Sequence, residues 1–174
     1  MYKRQLLGWC FGLGFFGAGV SWVYVSINVY GHAPLAVALT LTTLFCAGLA
    51  LLFALQAAVL ALLSPAQLGL RIILFACLWV AFEWLRTWLL TGFPWLFAGY
   101  AAMDTLVAGW APVIGVLGVS WLIAVTASGV AEIVIDRRAS HGIALASWVV
   151  SIAGAGYLLG YVQWTEPTGE ARKV

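Results

Sequence analysis

Residues 34–63 read PLAVALTLTTLFCAGLALLFALQAAVLALL, and this stretch contains no Asp, Glu, Lys or Arg. A helix that crosses the hydrocarbon core of a bilayer needs about 20 mostly apolar residues, whereas a transmembrane strand needs only about 9–11 residues of alternating polarity. The stretch shows no alternation, so it predicts a transmembrane helix with Gln56 as its most polar side chain. At 1.5 Å per residue this helix would be about 45 Å long, so it must tilt or leave the bilayer at one end.

The composition of the whole chain has the same character. Of its 174 residues, 64% are apolar and only 8% are charged. Soluble domains carry roughly 25% charged residues, so these values exclude a soluble globular protein, a disordered chain and a nucleic-acid binder. The net charge of +2 is too small to indicate a polyanionic partner.

Four further segments are long and apolar enough to cross a membrane. The sequence therefore predicts an all-α integral membrane protein, in which residues 1–164 form a bundle of about five transmembrane helices. The predicted spans are residues 5–26, 34–63, 71–90, 112–135 and 143–163, each approximate at both ends.

One connection differs from the other short turns. The segment from Thr91 to Ala111 is about twenty residues long, contains Pro94 and is rich in aromatic side chains. An apolar, non-helical stretch at a membrane surface must be covered by protein or dip into the interface, and long loops often carry function. We therefore expect a long aromatic outer loop that folds back onto the bundle.

The distribution of Lys and Arg predicts the orientation, because cytoplasmic loops carry an excess of these residues. Five basic residues fall on one side of the predicted spans and two on the other. The bias predicts a cytoplasmic N-terminus, a periplasmic C-terminus and an outer position for the aromatic loop. The five are Lys3, Arg4, Arg71, Arg137 and Arg138, and the two are Arg172 and Lys173.

Residues able to carry chemistry are few. Three cysteines, Cys10, Cys46 and Cys77, lie in apolar stretches without a C-x-x-C spacing, so they predict packing rather than a disulfide or a metal site. His32 and His141 lie near span ends, away from any cysteine or carboxylate in a catalytic spacing. We expect no catalytic residue, no metal site and no cofactor in this chain.

Glu83 and Arg86 are the exception, because both fall inside the third predicted span. A spacing of three residues puts two side chains on one helix face, where they can pair. Charges within a span are costly and mark functional sites by default. Two interpretations stay open: an ion pair that fixes this helix to its surroundings, or a guanidinium directed at a lipid phosphate.

Two motifs resemble the bacterial apolipoprotein N-acyltransferases. Residues 15–27, FFGAGVSWVYVSI, are similar to the third membrane helix of that family. Residues 83–95, EWLRTWLLTGFPW, followed by Gly99-Tyr100, are similar to the signature around its fifth helix. The resemblance extends over the whole chain in order and spacing.

The resemblance implies a multi-pass enzyme of the bacterial inner membrane. Its family moves an acyl chain from a phospholipid donor to the N-terminal diacylglyceryl-cysteine of an apolipoprotein acceptor. The reaction passes through a thioester on a cysteine that lies, with a Glu and a Lys, in a periplasmic nitrilase-like domain. The family's fold is a membrane bundle docked under that α-β-β-α domain.

By this resemblance the chain corresponds to the third to seventh family helices. Residues 165–174 are expected to be a linker toward the missing nitrilase-like domain, so the chain is expected to be a fragment that is inactive alone. The implied contribution is anchoring and a lipid-facing floor for the two substrates. The residues implied to face them are Trp22, Tyr24, Phe93, Pro94, Trp95 and Tyr100.

Two other functions remain open on the sequence. A transporter-like module is one, although transporters carry polar residues and broken helices at the bilayer midplane, and Glu83 and Arg86 lie near one end of their span. An inactive truncated remnant is the other. The coding sequence after Val174 distinguishes them, because a nitrilase-like continuation with Glu, Lys and Cys would establish the enzyme.

Overall fold

A computed structural model describes residues 2–136 and 138–165, and these residues are mostly helical. No strand occurs among them, which confirms the all-α prediction. The helices are α1 (Tyr2–Gly19), α2 (Trp22–Val25), α3 (Leu35–Leu63), α4 (Leu68–Arg86), α5 (Ala111–Ile135) and α6 (Ala139–Leu159). The predicted linker, residues 165–174, lies outside the described residues except for Thr165.

Four helical segments are long and apolar enough to cross a membrane, and a fifth span results if a bent pair is counted as one. The four are Leu35–Leu63, Leu68–Arg86, Leu106–Ile135 and Ser140–Leu159, and the bent pair is Tyr2–Gly19 with Trp22–Tyr30, at 52°. Their apolar side chains point largely outward; Leu62, for example, is 65% exposed. Such a surface suits lipid, and the chain is a multi-pass membrane protein.

The chain divides into two compact units, Met1–Leu85 and Arg86–Val174. In the first unit, α1 and α3 pack closely because glycines face the partner helix. A Cβ on Gly8 would lie 2.6 Å from the carbonyl oxygen of Phe53, and a Cβ on Gly12 would lie 2.8 Å from the Cα of Ala50. Glycine therefore allows the two backbones to approach, as small residues do in many membrane helix pairs.

Aromatic rings fill the space beside this helix pair. Phe53 of α3 contacts Phe11 of α1, with ring centroids 5.1 Å apart, and Trp79 of α4 at 5.6 Å. The Trp79 indole N–H donates a hydrogen bond of 2.9 Å to Oε1 of Glu83. α1 ends at Gly19, and the chain continues through α2 into a π-helical segment, Ser26–Tyr30.

In the second unit, two 3-10 segments, Ala98–Ala102 and Leu106–Trp110, precede α5. The loop expected to be non-helical thus contains short helical turns. Gly109 of the second segment lies so close to Gly156 of α6 that a Cβ on either glycine would meet main-chain atoms. The Trp110 indole N–H also donates to the carbonyl oxygen of Ile152 at 2.9 Å.

α4 ends at Arg86, four residues before the expected end of the third span near Leu90. The reason is a reversal of the chain: the Phe93 N–H donates a 2.6 Å hydrogen bond to the Arg86 carbonyl oxygen. Leu90 and Gly92 take left-handed φ angles of 59° and 79° in this reversal. Hydropathy continues through the turn, so it does not mark where the helix stops.

Candidate functional site

Arg86 organises the start of the aromatic loop. Its side chain is buried, and its Nη1 donates a 3.2 Å hydrogen bond to the Trp95 carbonyl oxygen. The guanidinium carbon also lies 5.5 Å from the centre of the Phe97 ring, a cation–π arrangement. With the Phe93 bond to its own carbonyl, Arg86 fastens residues 93–97 to the end of α4.

The fastened segment presents aromatic rings at its surface. Phe97 is buried and stacks on Tyr100, with centroids 5.9 Å apart and planes only 6° from parallel. Trp95 is 56% exposed and Tyr100 is 57% exposed. Pro94 is exposed and Phe93 is half-buried. The main chain of the segment is bonded to Arg86, whereas the Trp95 ring is exposed.

The first 3-10 segment is bonded to Ser120 of α5, a residue that the sequence did not single out. Ser120 of α5 is fully buried, and its Oγ accepts a 2.8 Å hydrogen bond from the Gly99 N–H. A Cβ on Gly99 would meet the Val116 carbonyl oxygen, so the backbone lies directly on α5. A serine flanked by apolar residues in a span was the available signal.

Trp22 and Tyr24, the remaining residues of the predicted lipid-facing set, belong to the first unit. Trp22 is 46% exposed, and Tyr24 is half-buried. The Tyr24 hydroxyl donates to Oδ1 of Asn28 at 3.3 Å, and the Asn28 amide donates to the Ala33 carbonyl oxygen at 2.9 Å. Asn28, also missed from the sequence, thus closes the turn that leads into α3.

Glu83 and Arg86 are both buried near the end of α4, with 2% and 5% of their surfaces exposed. Glu83 accepts the hydrogen bond of Trp79, and Arg86 contacts Trp95 and Phe97. Buried charges require such polar partners. A direct ion pair between the two side chains stays a prediction.

The part of the chain that the structure describes shows no nucleophile activated by a base. Cys10 and Cys77 are exposed and Cys46 is buried. None of the three makes a hydrogen bond to a histidine or carboxylate within residues 2–136 and 138–165. The same ranges hold no group of three His, Cys, Asp or Glu side chains placed to bind a metal ion.

These features define a multi-pass helical membrane protein whose buried arginine supports a surface of exposed aromatic rings. The family model described as the apolipoprotein N-acyltransferase N-terminal domain matches residues 2–129. The chain therefore belongs to the apolipoprotein N-acyltransferase family, as the two sequence motifs indicated.

Curated relatives carry the name apolipoprotein N-acyltransferase. The protein from Coxiella burnetii is 37% identical over 169 residues, which are 96% of this chain and 35% of the relative. The Methylococcus capsulatus protein is 42% identical over 174 residues, which are 99% of this chain and 34% of the relative. A Pseudomonas aeruginosa protein is 43% identical over 174 residues, which are 96% of this chain and 33% of the relative. The chain thus spans about a third of the length of these relatives.

Proposed function

We propose that this chain is membrane-domain sequence of an apolipoprotein N-acyltransferase, in which it supplies membrane anchoring and a lipid-facing surface. The full reaction would transfer an acyl chain from a phospholipid to the amino group of an N-terminal diacylglyceryl-cysteine. Family membership supports this proposal. The observation that carries the surface role is the loop fastened by Arg86, which leaves Trp95 and Tyr100 exposed.

The aromatic surface has the chemistry that both lipid substrates require. Tryptophan and tyrosine combine a large apolar ring with a polar edge, so they favour the level of the lipid headgroups. A ring held on a fixed main chain loses little conformational entropy when it binds an acyl chain. Phe93, Pro94, Trp95 and Tyr100 would form one such surface in the second unit. Trp22 and Tyr24 would form a second one in the first unit.

The covalent chemistry would come from other residues of the enzyme. Acyl transfer through a thioester needs a thiolate beside a base, and the described residues lack that arrangement around Cys10, Cys46 and Cys77. We therefore propose that the chain by itself transfers no acyl group. Incubation of the purified chain with phospholipid should leave all three thiols unacylated, and mass spectrometry of its peptides checks this.

We further propose an inner-membrane location with the N-terminus in the cytoplasm and the C-terminus in the periplasm. The proposal rests on the bias of basic residues. Residues 165–174 would then lead toward a periplasmic catalytic domain. In a cysteine-free background, an impermeant thiol reagent should label Asp104→Cys from outside intact spheroplasts and leave Ser140→Cys unlabelled. Labelling of position 140 alone would reverse the orientation.

A chimera tests the surface role directly. Residues 2–165 would replace the matching segment of the Pseudomonas aeruginosa relative, followed by an assay of acyl transfer from phospholipid to a diacylated lipopeptide. Trp95→Ala should lower kcat/KM about tenfold at unchanged expression. Trp84→Ala is the control, since Trp84 has a similar exposure of 53% on α4. Equal losses of kcat/KM in the two variants would mean that Trp95 acts only as a general membrane anchor.

Glu83 and Arg86 would act as positioning residues for the aromatic loop. We propose that they pair on the inward face of α4 and so hold the arginine that carries the loop. Their spacing of three residues and the burial of both side chains support the pair over a phosphate-binding arginine. The guanidinium already contacts Trp95 and Phe97.

A further inference from the structure

The first unit contains a cavity of about 340 Å³ at the end where α1 begins. Ligand pockets in proteins measure about 300–1,000 Å³, so the space is large enough for a lipid chain. Its walls are mainly apolar and aromatic. The lining residues include Arg4, Phe11, Phe53, Gln56, Phe75 and Trp79.

A continuous wall of rings forms one side of the cavity. Phe53 lies between Phe11 and Trp79, and Trp79 also contacts Phe75 at 6.0 Å. The hydrogen bond from Trp79 to Glu83 fixes the indole in this wall. A rigid apolar surface of this kind complements an acyl chain.

Gln56 is the polar feature inside the cavity. Its side chain is 95% buried, since only 5% of its surface is exposed, and it lines the cavity. An amide inside an apolar cavity can donate to a carbonyl oxygen of a bound molecule, and this bond offsets the cost of removing the amide from water.

Arg4 supplies a cation at the rim. It lies one helical turn before Gly8, about 6 Å along α1, and both residues line the cavity. Arg4 is exposed, so its guanidinium can reach the headgroup level while its methylenes stay along the helix. Guanidinium groups bind phosphate oxygens in a bidentate geometry.

We propose that this cavity binds one glycerophospholipid from the leaflet at the N-terminal end of α1. The acyl chain lies against the ring wall, the Gln56 amide donates to an ester carbonyl, and Arg4 binds the phosphate. The order of these groups, from the rim inward, matches the order of phosphate, ester and acyl chain in a phospholipid. This site lies wholly in the first unit and is independent of the Trp95 surface.

Native mass spectrometry of the delipidated protein tests the proposal, with dioleoylphosphatidylglycerol as the probe. The wild type should retain one lipid at concentrations where dioleoylglycerol, which lacks the phosphate, gives no adduct. Arg4→Gln should weaken retention about fivefold, the effect of one basic side chain at a lipid surface. Lys3→Gln is the matched control, because Lys3 does not line the cavity. Equal losses would mean unspecific charge attraction and would overturn the site.

Two further variants separate binding from folding. Gln56→Leu should weaken lipid retention about fivefold while raising the Tm of the lipid-free protein, because it removes a buried polar group; a lowered Tm would give Gln56 a structural role instead. Leu60→Trp, placed in the cavity wall, should abolish retention, whereas Leu62→Trp, on the exposed side of α3, should not. A photoreactive group at position 60 should crosslink to phospholipid. A crosslink to protein would show that a helix or a second copy fills the cavity.

Discussion

The two units use glycine for different purposes. In the first unit, Gly8 and Gly12 bring two regular helices together, and each helix satisfies its own backbone. In the second unit, Gly99 and Gly109 bring irregular backbone against a helix. That backbone needs partners outside itself, such as the Ser120 hydroxyl. The difference teaches that a membrane protein can hold a non-helical surface only where polar side chains are supplied to its main chain.

The largest expected effect comes from the charges at the end of α4. Arg86→Gln removes the contacts to Trp95 and Phe97 that fasten the loop, and breaking a buried charged contact typically costs about 3–5 kcal/mol. We expect a loss of this order in detergent unfolding. Glu83→Gln should also destabilise, and the double variant should be no worse than the worse single one. Additive losses would show that the two side chains act separately.

Gly156→Ala should have the next largest effect, because its Cβ would meet the Leu106 carbonyl oxygen. Main-chain atoms of the second 3-10 segment must then move, and overpacking costs about 1–3 kcal/mol. Gly154→Ala is the control on the same helix, since nothing lies within 4 Å of a Cβ there. Thermal unfolding should show a lowered Tm for Gly156→Ala alone. Equal Tm values for the two variants would show that the close contact at Gly156 does not limit stability.

Ser120→Ala isolates the polar support of the loop. It leaves the buried Gly99 N–H without its acceptor, at a cost of about 1–2 kcal/mol. Hydrogen exchange at the Gly99 amide should accelerate about tenfold. Ser151→Ala serves as control, because the exposed Ser151 hydroxyl bonds only to the Ser147 carbonyl of its own helix. Unchanged exchange in Ser120→Ala would mean that the loop is held without this bond.

Gly12→Ala should have the smallest effect of the four, about 1 kcal/mol. Its Cβ would approach Ala50 and the Phe53 ring, and two regular helices can separate slightly without losing hydrogen bonds. Gly14→Ala, with open space around its Cβ, should change stability little. A loss of stability larger than that of Gly156→Ala would mean that the first unit tolerates an added Cβ less well than the second.

The helices were predictable because lipid imposes one rule along each span. Residues 34–63 predicted α3, and the structure places it at Leu35–Leu63. The break after Gly19 and the end of α4 were not predictable, since they depend on hydrogen bonds that leave hydropathy unchanged. The two 3-10 segments were not predictable for the same reason, because hydropathy does not distinguish their residues from those of a span.

The candidate site was predictable only in part. Trp95 and Tyr100 stood out as aromatic residues near a proline and a glycine, and both are exposed. Ser120 takes its role from a bond to the Gly99 backbone, and Phe97 takes its role from a contact with the Arg86 guanidinium; residue type alone reveals neither contact. Gln56 stood out as the polar residue of α3, but its place in a cavity needed the packing of α1 and α4.

The position of Arg86 has a consequence for biogenesis. Its cover, the Trp95 carbonyl and the Phe97 ring, is synthesised 9 and 11 residues after it. At about 5–20 residues per second, the ribosome adds that cover roughly a second later. Until residues 93–97 fold back, the guanidinium lies at the end of its span, where a charge is cheaper than at the bilayer centre. The arginine therefore becomes buried only when the loop closes over it.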